Sequence, residues 1–115
     1  MMTVKFENKG SYGIVYIDGE VNILNNAELK NAFNDVFNSN QYRLIIDFSK
    51  TAYIDSSAIS VIISARNTIV SKNGNIVFCC LPVTIDKVFN IIGFKGVVKF
   101  FKTQEEAVAF FETKQ

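Results

Sequence analysis

The sequence contains no histidine and no tryptophan, a single proline and only two cysteines among its 115 residues. Without histidine, neither a Ser-His-Asp nor a Cys-His catalytic arrangement can form, and the zinc sites that use histidine are excluded. Two cysteines alone cannot complete an all-cysteine zinc site. The glycines are scattered and form no glycine-rich phosphate loop. The composition therefore gives little support to an enzyme or a metal site, and we expect no cofactor.

The chain also lacks an excess of charge of either sign. It has 12 basic and 11 acidic residues, for a net charge of +1. A nucleic-acid-binding domain normally carries a basic patch or stripe, so we expect no nucleic-acid partner. No stretch approaches the roughly 18 uninterrupted apolar residues of a membrane span. The start, MMTVKFENKG, has regularly placed charges and no apolar signal region. We therefore expect a cytoplasmic protein that does not insert into membranes.

The two cysteines, Cys79 and Cys80, are neighbours in the apolar segment NIVFCCL. In a strand, adjacent side chains point to opposite faces. In a reducing compartment the simplest interpretation is two small buried hydrophobic residues. A redox or metal-binding role would require further ligands that the sequence does not reveal.

What is present is a regular alternation of strand and helix patterns. After two strands joined by the turn KGSYG, each apolar strand-like segment is followed by a helix-like one. This order predicts an α/β domain over residues 1–115, with a mostly parallel sheet of four or five strands, an antiparallel N-terminal hairpin and about four helices packed mainly on one side. The predicted strands are residues 3–8, 14–21, 42–49, 75–81 and 97–101, and the predicted helices begin near residues 25, 56, 82 and 103.

Several helix ends are indicated by local signals. Asn25 or Asn26 is a candidate N-cap of the first helix, which should end near residue 39. Asn73 and Gly74 should stop the second helix, and Pro82 suits the first turn of the third. Thr103 and Glu106 have the spacing of a capping box at the start of the fourth.

The segment TAYIDSSAISVIIS, residues 51–64, places Asp55, Ser56 and Ser57 where a polar turn meets a long apolar run. A structural interpretation explains them fully, since aspartate and serine are among the best helix N-caps. A functional interpretation uses the same physics. A serine just inside a helix N-terminus can carry a phosphate, which adds roughly −1.5 to −2 charges and would repel a docked partner.

Four segments together resemble a known family, the STAS domains of the anti-anti-sigma factors (anti-sigma factor antagonists). DSSAISVIISA resembles the family signature Asp-Ser-Ser/Thr-Gly that precedes a long helix, and LIIDFSKTAYI resembles the strand and loop before it. IDGEVN resembles the family's Gly-Glu-apolar-Asp element. NGNIVFCCLPVTIDKVFNIIGF resembles the following helix end, strand and third helix. The four segments occur in the family's order and at similar separations. The resemblance in layout extends over nearly the whole chain.

The resemblance implies a non-enzymatic binding protein. In that family the unphosphorylated domain binds an anti-sigma factor, usually a serine kinase of the GHKL type, and so frees a sigma factor. The kinase phosphorylates the second serine position, which breaks the complex, and a PP2C-type phosphatase reverses the modification. By the motif match, Ser57 would be the phosphoacceptor and Ser56 its helix-capping neighbour. The expected partner-binding residues are Asn22, Tyr53, Asp55, Ser56, Ser57, Ala58 and Ile59.

Three positions depart from the family pattern. Ala58 stands where the family has glycine after the serines, and Ser60 is the next small residue. Asn22 replaces an acid that, in the family, helps to hold a basic residue of the kinase. An asparagine can still accept a hydrogen bond, but the charge pair is lost.

Two other functions compete with the phosphorylation switch. In one, the chain is a STAS subunit of another assembly, such as a lipid-transport ABC system or a stress-signalling complex, and docks a partner without phosphorylation. In the other it is a small enzyme or nucleotide-binding protein. The absence of a phosphate loop argues against this last alternative.

Overall fold

The computed structural model describes residues 2–113. Within them the chain forms six strands and four α-helices, with a short 3₁₀ turn between the last helix pair. No helix of this part of the chain has the length and apolar character needed to cross a membrane. In chain order the elements are β1 (Thr3–Asn8), β2 (Gly13–Val21), α1 (Asn26–Asn38), β3 (Arg43–Asp47), β4 (Thr51–Ile54), α2 (Ser56–Ser71), β5 (Asn75–Cys79), α3 (Val83–Ile91), the 3₁₀ turn (Phe94–Gly96), β6 (Lys99–Phe101) and α4 (Gln104–Thr113).

The sheet is mixed, with one antiparallel pair. β1 and β2 form an antiparallel hairpin. The main path of the sheet then runs β1-β2-β3-β5-β6, and every pairing after the hairpin is parallel. Parallel strands require crossover connections, which α1, α2 and α3 supply. The predicted hairpin and parallel remainder are confirmed.

The sequence interpretation missed one strand, because it took residues 49–55 as a simple connection. In the structure β4 pairs parallel with the second half of β2, beyond a register shift between Gly19 and Glu20. Gly19 has φ +98 and donates its N–H to the Lys50 carbonyl at 2.9 Å. Ala52 and Tyr53 are exposed in this strand, so it carries no apolar alternation. The sheet therefore has six strands rather than four or five.

The helices cover the two sheet faces unequally, as predicted. The larger core lies on the face covered by α1, α2 and α3, and it includes Leu44 and Ile46 of β3. The opposite face packs Ile45 of the same strand against Ala107 and Phe111 of α4. Alternating residues of β3 thus serve the two cores, as expected for a central strand covered on both sides.

Most predicted helix ends agree with the structure. The capping box of α4 is confirmed, because the Glu106 N–H donates to Thr103 Oγ1 at 3.1 Å and Glu106 Oε1 accepts from the Thr103 N–H at 3.4 Å. α2 ends at Ser71, before Asn73 with φ +61. Pro82 is the residue before α3 rather than part of its first turn. Asn25 precedes α1, but its side chain makes no capping bond to the helix.

The two cysteines do not occupy opposite faces of one strand. Cys79 ends β5 and is fully buried, whereas Cys80 lies beyond the strand, has φ +64 and is partly exposed. The alternation rule applies only to extended backbone, and the left-handed conformation of Cys80 breaks it. Burial is the main cause that raises the pKa of the Cys79 thiol, so this thiol is protonated at neutral pH.

Candidate functional site

The N-terminus of α2 is organised by Asp55, which lies between β4 and the helix. Its own N–H donates to the Val21 carbonyl at 3.1 Å, which ties it to the end of β2. Its Oδ1 accepts a hydrogen bond from the Ala58 N–H at 3.0 Å. Asp55 is therefore the N-cap, with the extended backbone typical of that position.

The cap assignment corrects one expectation from the sequence. Ser56 was predicted to be the capping neighbour, but it is the first residue of the helix and is exposed. Its carbonyl accepts a hydrogen bond from Ser60 Oγ at 3.1 Å. Because Asp55 reaches the free N–H group of the first turn, no serine is needed as the cap.

Ser57, the predicted phosphoacceptor, is held by the same carboxylate. Its Oγ donates to Asp55 Oδ1 at 2.6 Å, and the side chain is partly exposed. The hydrogen bond from Ser57, followed by that from the Ala58 N–H, lowers the pKa of Asp55 below its usual value. The cap is therefore a charged acceptor at neutral pH, and it fixes the direction of the Ser57 hydroxyl.

Asp55 also connects the helix to the loop between β2 and α1. Its Oδ2 accepts the Ile23 N–H at 3.1 Å, across 32 residues of sequence. Within the loop, Asn22 Oδ1 accepts from the Leu24 N–H and Asn25 Oδ1 accepts from the Asn22 N–H, both at 2.9 Å. These hydrogen bonds hold the loop in place, and its apolar side chains are left facing outwards.

Three large side chains near this helix start are exposed to solvent. The exposed fractions are 74% for Ile23, 92% for Leu24 and 53% for Tyr53. Tyr53 lies on β4 opposite Glu20, two residues before Asp55. Exposed apolar side chains at one end of a domain mark a candidate interaction surface. We call Ile23, Leu24, Tyr53, Ser56 and Ser57 the α2 tip.

The other predicted partner-binding residues are buried or partly buried. Ala58 is fully buried, so its methyl group lies beneath the surface and not on it. Ile59 is partly buried and packs at the edge of the larger core. Asn22 is partly buried and holds the loop through its side chain. Sequence reasoning missed Ile23 and Leu24, although two adjacent apolar residues in an asparagine-rich segment were a readable signal.

A family model for the STAS domain matches residues 3–107 of the chain. The chain belongs to the STAS domain family. The resemblance inferred from the four sequence segments is thereby confirmed, and the mixed sheet with its N-terminal hairpin is the fold of STAS structures.

Individual relatives of this STAS domain are distant. The chain is 26% identical over 100 residues to the Bordetella bronchiseptica protein named "Putative anti-sigma factor antagonist BtrV", covering 87% of this chain and 86% of that one. Among solved structures, a "putative anti-sigma factor antagonist" from Thermotoga maritima superposes with a TM-score of 0.88 at 21% identity, over 95% of this chain and 94% of that one. The Bacillus cell fate determinant SpoIIAA in its phosphorylated form superposes with a TM-score of 0.75 at 18% identity, over 93% and 97%. At these identities the structural matches establish the fold.

Proposed function

We propose that this STAS domain is an anti-sigma factor antagonist whose binding is switched by phosphorylation of Ser57. In the unphosphorylated state the α2 tip binds an anti-sigma factor that is also a serine kinase of the GHKL type, and a sigma factor is released. A PP2C-type phosphatase restores the binding state. The observation that carries the proposal is the Ser57 hydroxyl, which is partly exposed and bonded to Asp55, while the other oxygen of Asp55 holds the loop with the exposed Ile23 and Leu24.

The proposed reaction changes the tip at one atom. The kinase transfers the γ-phosphoryl group of ATP to Ser57 Oγ, the hydroxyl proton leaves, and ADP is the second product. The phosphoester oxygen has no hydrogen, so it cannot keep the bond to Asp55 Oδ1 at 2.6 Å. The added charge of roughly −1.5 to −2 then lies against a carboxylate, where repulsion is expected.

The same change would act on a docked partner. Leu24 and Tyr53 offer apolar surface at the tip, and apolar contacts of this kind drive protein association when water is excluded. A phosphate inside such a contact would have to lose its water without a paired charge, which is costly. The switch therefore needs no large conformational change.

Two departures from the family pattern bear on the partner. Asn22 carries no charge, and its Oδ1 is engaged by the Leu24 N–H, so it orders the loop instead of forming an ion pair. Ala58 is buried and adds a methyl group that the family's glycine lacks. We infer that affinity for the partner depends more on the apolar residues of the tip than on a charge pair with Asn22.

The direct test is phosphorylation of the purified chain by the GHKL-type kinase of the same organism with ATP. Wild type, Ser57→Ala and Ser56→Ala are compared, since the two serines are adjacent and differ chiefly in their bond to Asp55. We expect stoichiometric labelling of wild type and Ser56→Ala, and none of Ser57→Ala. Equal labelling of Ser57→Ala and wild type would move the site to another residue.

A second candidate function is constitutive docking in another assembly, without phosphorylation. The observation that favours it is Asn22, because the charge pair implied for kinase-binding relatives is absent here. Affinity purification from the native cell distinguishes the two. A GHKL-type kinase bound to wild type and lost from Ser57→Asp supports the switch, whereas an ABC ATPase bound equally to both supports the second candidate.

A further inference from the structure

A second polar cluster lies at the other face of the sheet, beneath the start of α4. In the parallel register of β3 and β5, Asp47 is directly opposite Cys79, and Tyr16 of β2 is opposite Asp47. Neighbouring residues in register project to the same face of a sheet. The row therefore places a carboxylate beside a buried thiol at the carboxyl ends of two central strands.

The unusual backbone of Cys80 adds a second thiol to this row. With φ +64, Cys80 turns back towards the face that carries Cys79, and its N–H donates to the Phe101 carbonyl at 3.1 Å. Its Sγ lies 3.9 Å from Asp47 Oδ2. A donor atom from each of Asp47, Cys79 and Cys80 lies within 4.8 Å of the other two. Non-glycine residues rarely adopt this conformation, so a specific arrangement of the two thiols is retained at a conformational cost.

The three donors match one class of ligand. Thiolate sulfur combined with a carboxylate oxygen suits thiophilic divalent cations of the zinc type. Zinc bonds of about 2.3 Å to sulfur and about 2.0–2.2 Å to oxygen place neighbouring ligands roughly 3.5–4 Å apart in a tetrahedron. The donor atoms now lie within 4.8 Å of one another, so the largest separation would have to shorten by roughly 1 Å on binding.

We propose that Asp47, Cys79 and Cys80 form a binding site for a thiophilic divalent cation, with zinc as the representative ion. Both thiols lose their protons to solvent as two sulfur–metal bonds form, and one Asp47 oxygen supplies the third. Cys80 is partly exposed, so the fourth position is open to water. Nothing in this inference depends on the proposed phosphorylation of Ser57.

The carboxylate is already oriented by a second set of contacts. Asp47 is 5% exposed; its Oδ1 accepts from the Ser49 N–H, and its Oδ2 from Gln104 Nε2, both at 2.8 Å. Gln104 Nε2 also lies 3.2 Å from Tyr16 Oη, which donates to Glu7. Hydrogen bonds of this kind hold the first ligands of metal sites in position. A bound ion would thus join β3, β5 and the start of α4.

The test is a titration of the full chain with Cd²⁺ under reducing conditions, following the ultraviolet charge-transfer absorbance of cadmium–thiolate bonds. Zinc then competes for the same site. We expect absorbance that saturates at one ion per chain and is displaced by Zn²⁺. Cys80→Ser should abolish the signal, and Asp47→Asn should weaken binding at least about tenfold.

The controls separate ligand loss from misfolding. Cys80→Gly is compatible with φ +64, so it should stay folded by circular dichroism and still lose the signal. Asp35→Asn, which removes an exposed carboxylate on α1, and Ser57→Ala should both titrate like wild type. Absence of saturable absorbance in wild type, binding at one ion per two chains, or unchanged binding by folded Cys80→Gly or Asp47→Asn would each overturn the proposed site.

Discussion

Two aspartates stand at the ends of two parallel strands, and they differ in almost every other respect. Asp47 is the last residue of β3 and is buried, with its oxygens bonded to Ser49 and Gln104. Asp55 follows β4 at the surface, and its oxygens are bonded to Ser57, Ala58 and Ile23.

Under the function proposed above, the difference separates an aspartate that supports stability from one that lies beside the modified serine. The partners of Asp47 come from the turn after β3 and from the first residue of α4, so loss of the carboxylate leaves two partly buried groups unsatisfied. The partners of Asp55 include a hydroxyl that can be chemically modified without disturbing either core. A regulatory site is best placed where its modification changes the surface and leaves the packed interior intact.

The largest expected effect is on partner binding at the α2 tip. Ser57→Asp should weaken binding of the anti-sigma factor by about thirtyfold or more, because an unpaired charge in a buried contact costs roughly 2–5 kcal/mol. Isothermal titration calorimetry with the purified anti-sigma factor measures the change. Ser56→Asp is the matched control, and its effect should be clearly smaller because Ser56 does not share the Asp55 bond. Equal losses in the two variants would contradict a specific switch at Ser57.

The next largest effect is on stability, and we expect a greater loss of stability at Asp47 than at Asp55. Asp47→Ala should lower the free energy of unfolding by about 1–3 kcal/mol, because the Ser49 N–H and the Gln104 amide lose a buried acceptor. Asp55→Ala should lower it by less, since the freed Ile23 N–H is exposed and the freed Ser57 hydroxyl is partly exposed. Urea denaturation of both variants checks the order. A larger loss for Asp55→Ala would reverse the comparison between the two sites.

The smallest effect is the pH dependence of the contribution that the Asp55 carboxylate makes to stability. The folded chain holds the pKa of this carboxyl below its usual value of about 3.9. Its contribution to stability is therefore complete above that value and is lost as the pH falls through the lower pKa of the folded chain. The stability difference between wild type and Asp55→Asn should stay constant from about pH 7 to about pH 5 and shrink below about pH 4. Urea midpoints measured along this series test the sign, and a difference that grows on acidification would be inconsistent with it.

Much of the fold was accessible from the sequence because its signals are local. The hairpin turn, the unbroken apolar centre of β3 and the capping box from Thr103 to Glu106 each predicted an element that the structure contains. The two serines of the α2 tip were found in the same way, since Ser56 and Ser57 directly follow Asp55, whereas Ile23 and Leu24 of the tip were missed. The strand β4 was missed because it is short, half exposed and defined by pairing with β2 beyond a bulge.

The remaining features depend on contacts between distant residues. Asp47 and Cys79 are brought together by strand register, and the conformation of Cys80 has no signature in its own residue type. The bond from Ile23 to Asp55 likewise crosses two strands and a helix. Sequence could therefore suggest which serine carries a switch, but not which loop the switch would touch or that a carboxylate accompanies the two thiols.

The most direct test of the central claim is intact-mass measurement and phosphopeptide mapping of the chain purified from its own cells in several growth phases and stresses. The account predicts a fraction heavier by one phosphate, with the phosphate on Ser57. A chain that stays unmodified under all conditions, or that carries its phosphate on Ser56, would contradict the switch and leave Asp55, Ser56 and Ser57 as a helix start with a docking surface.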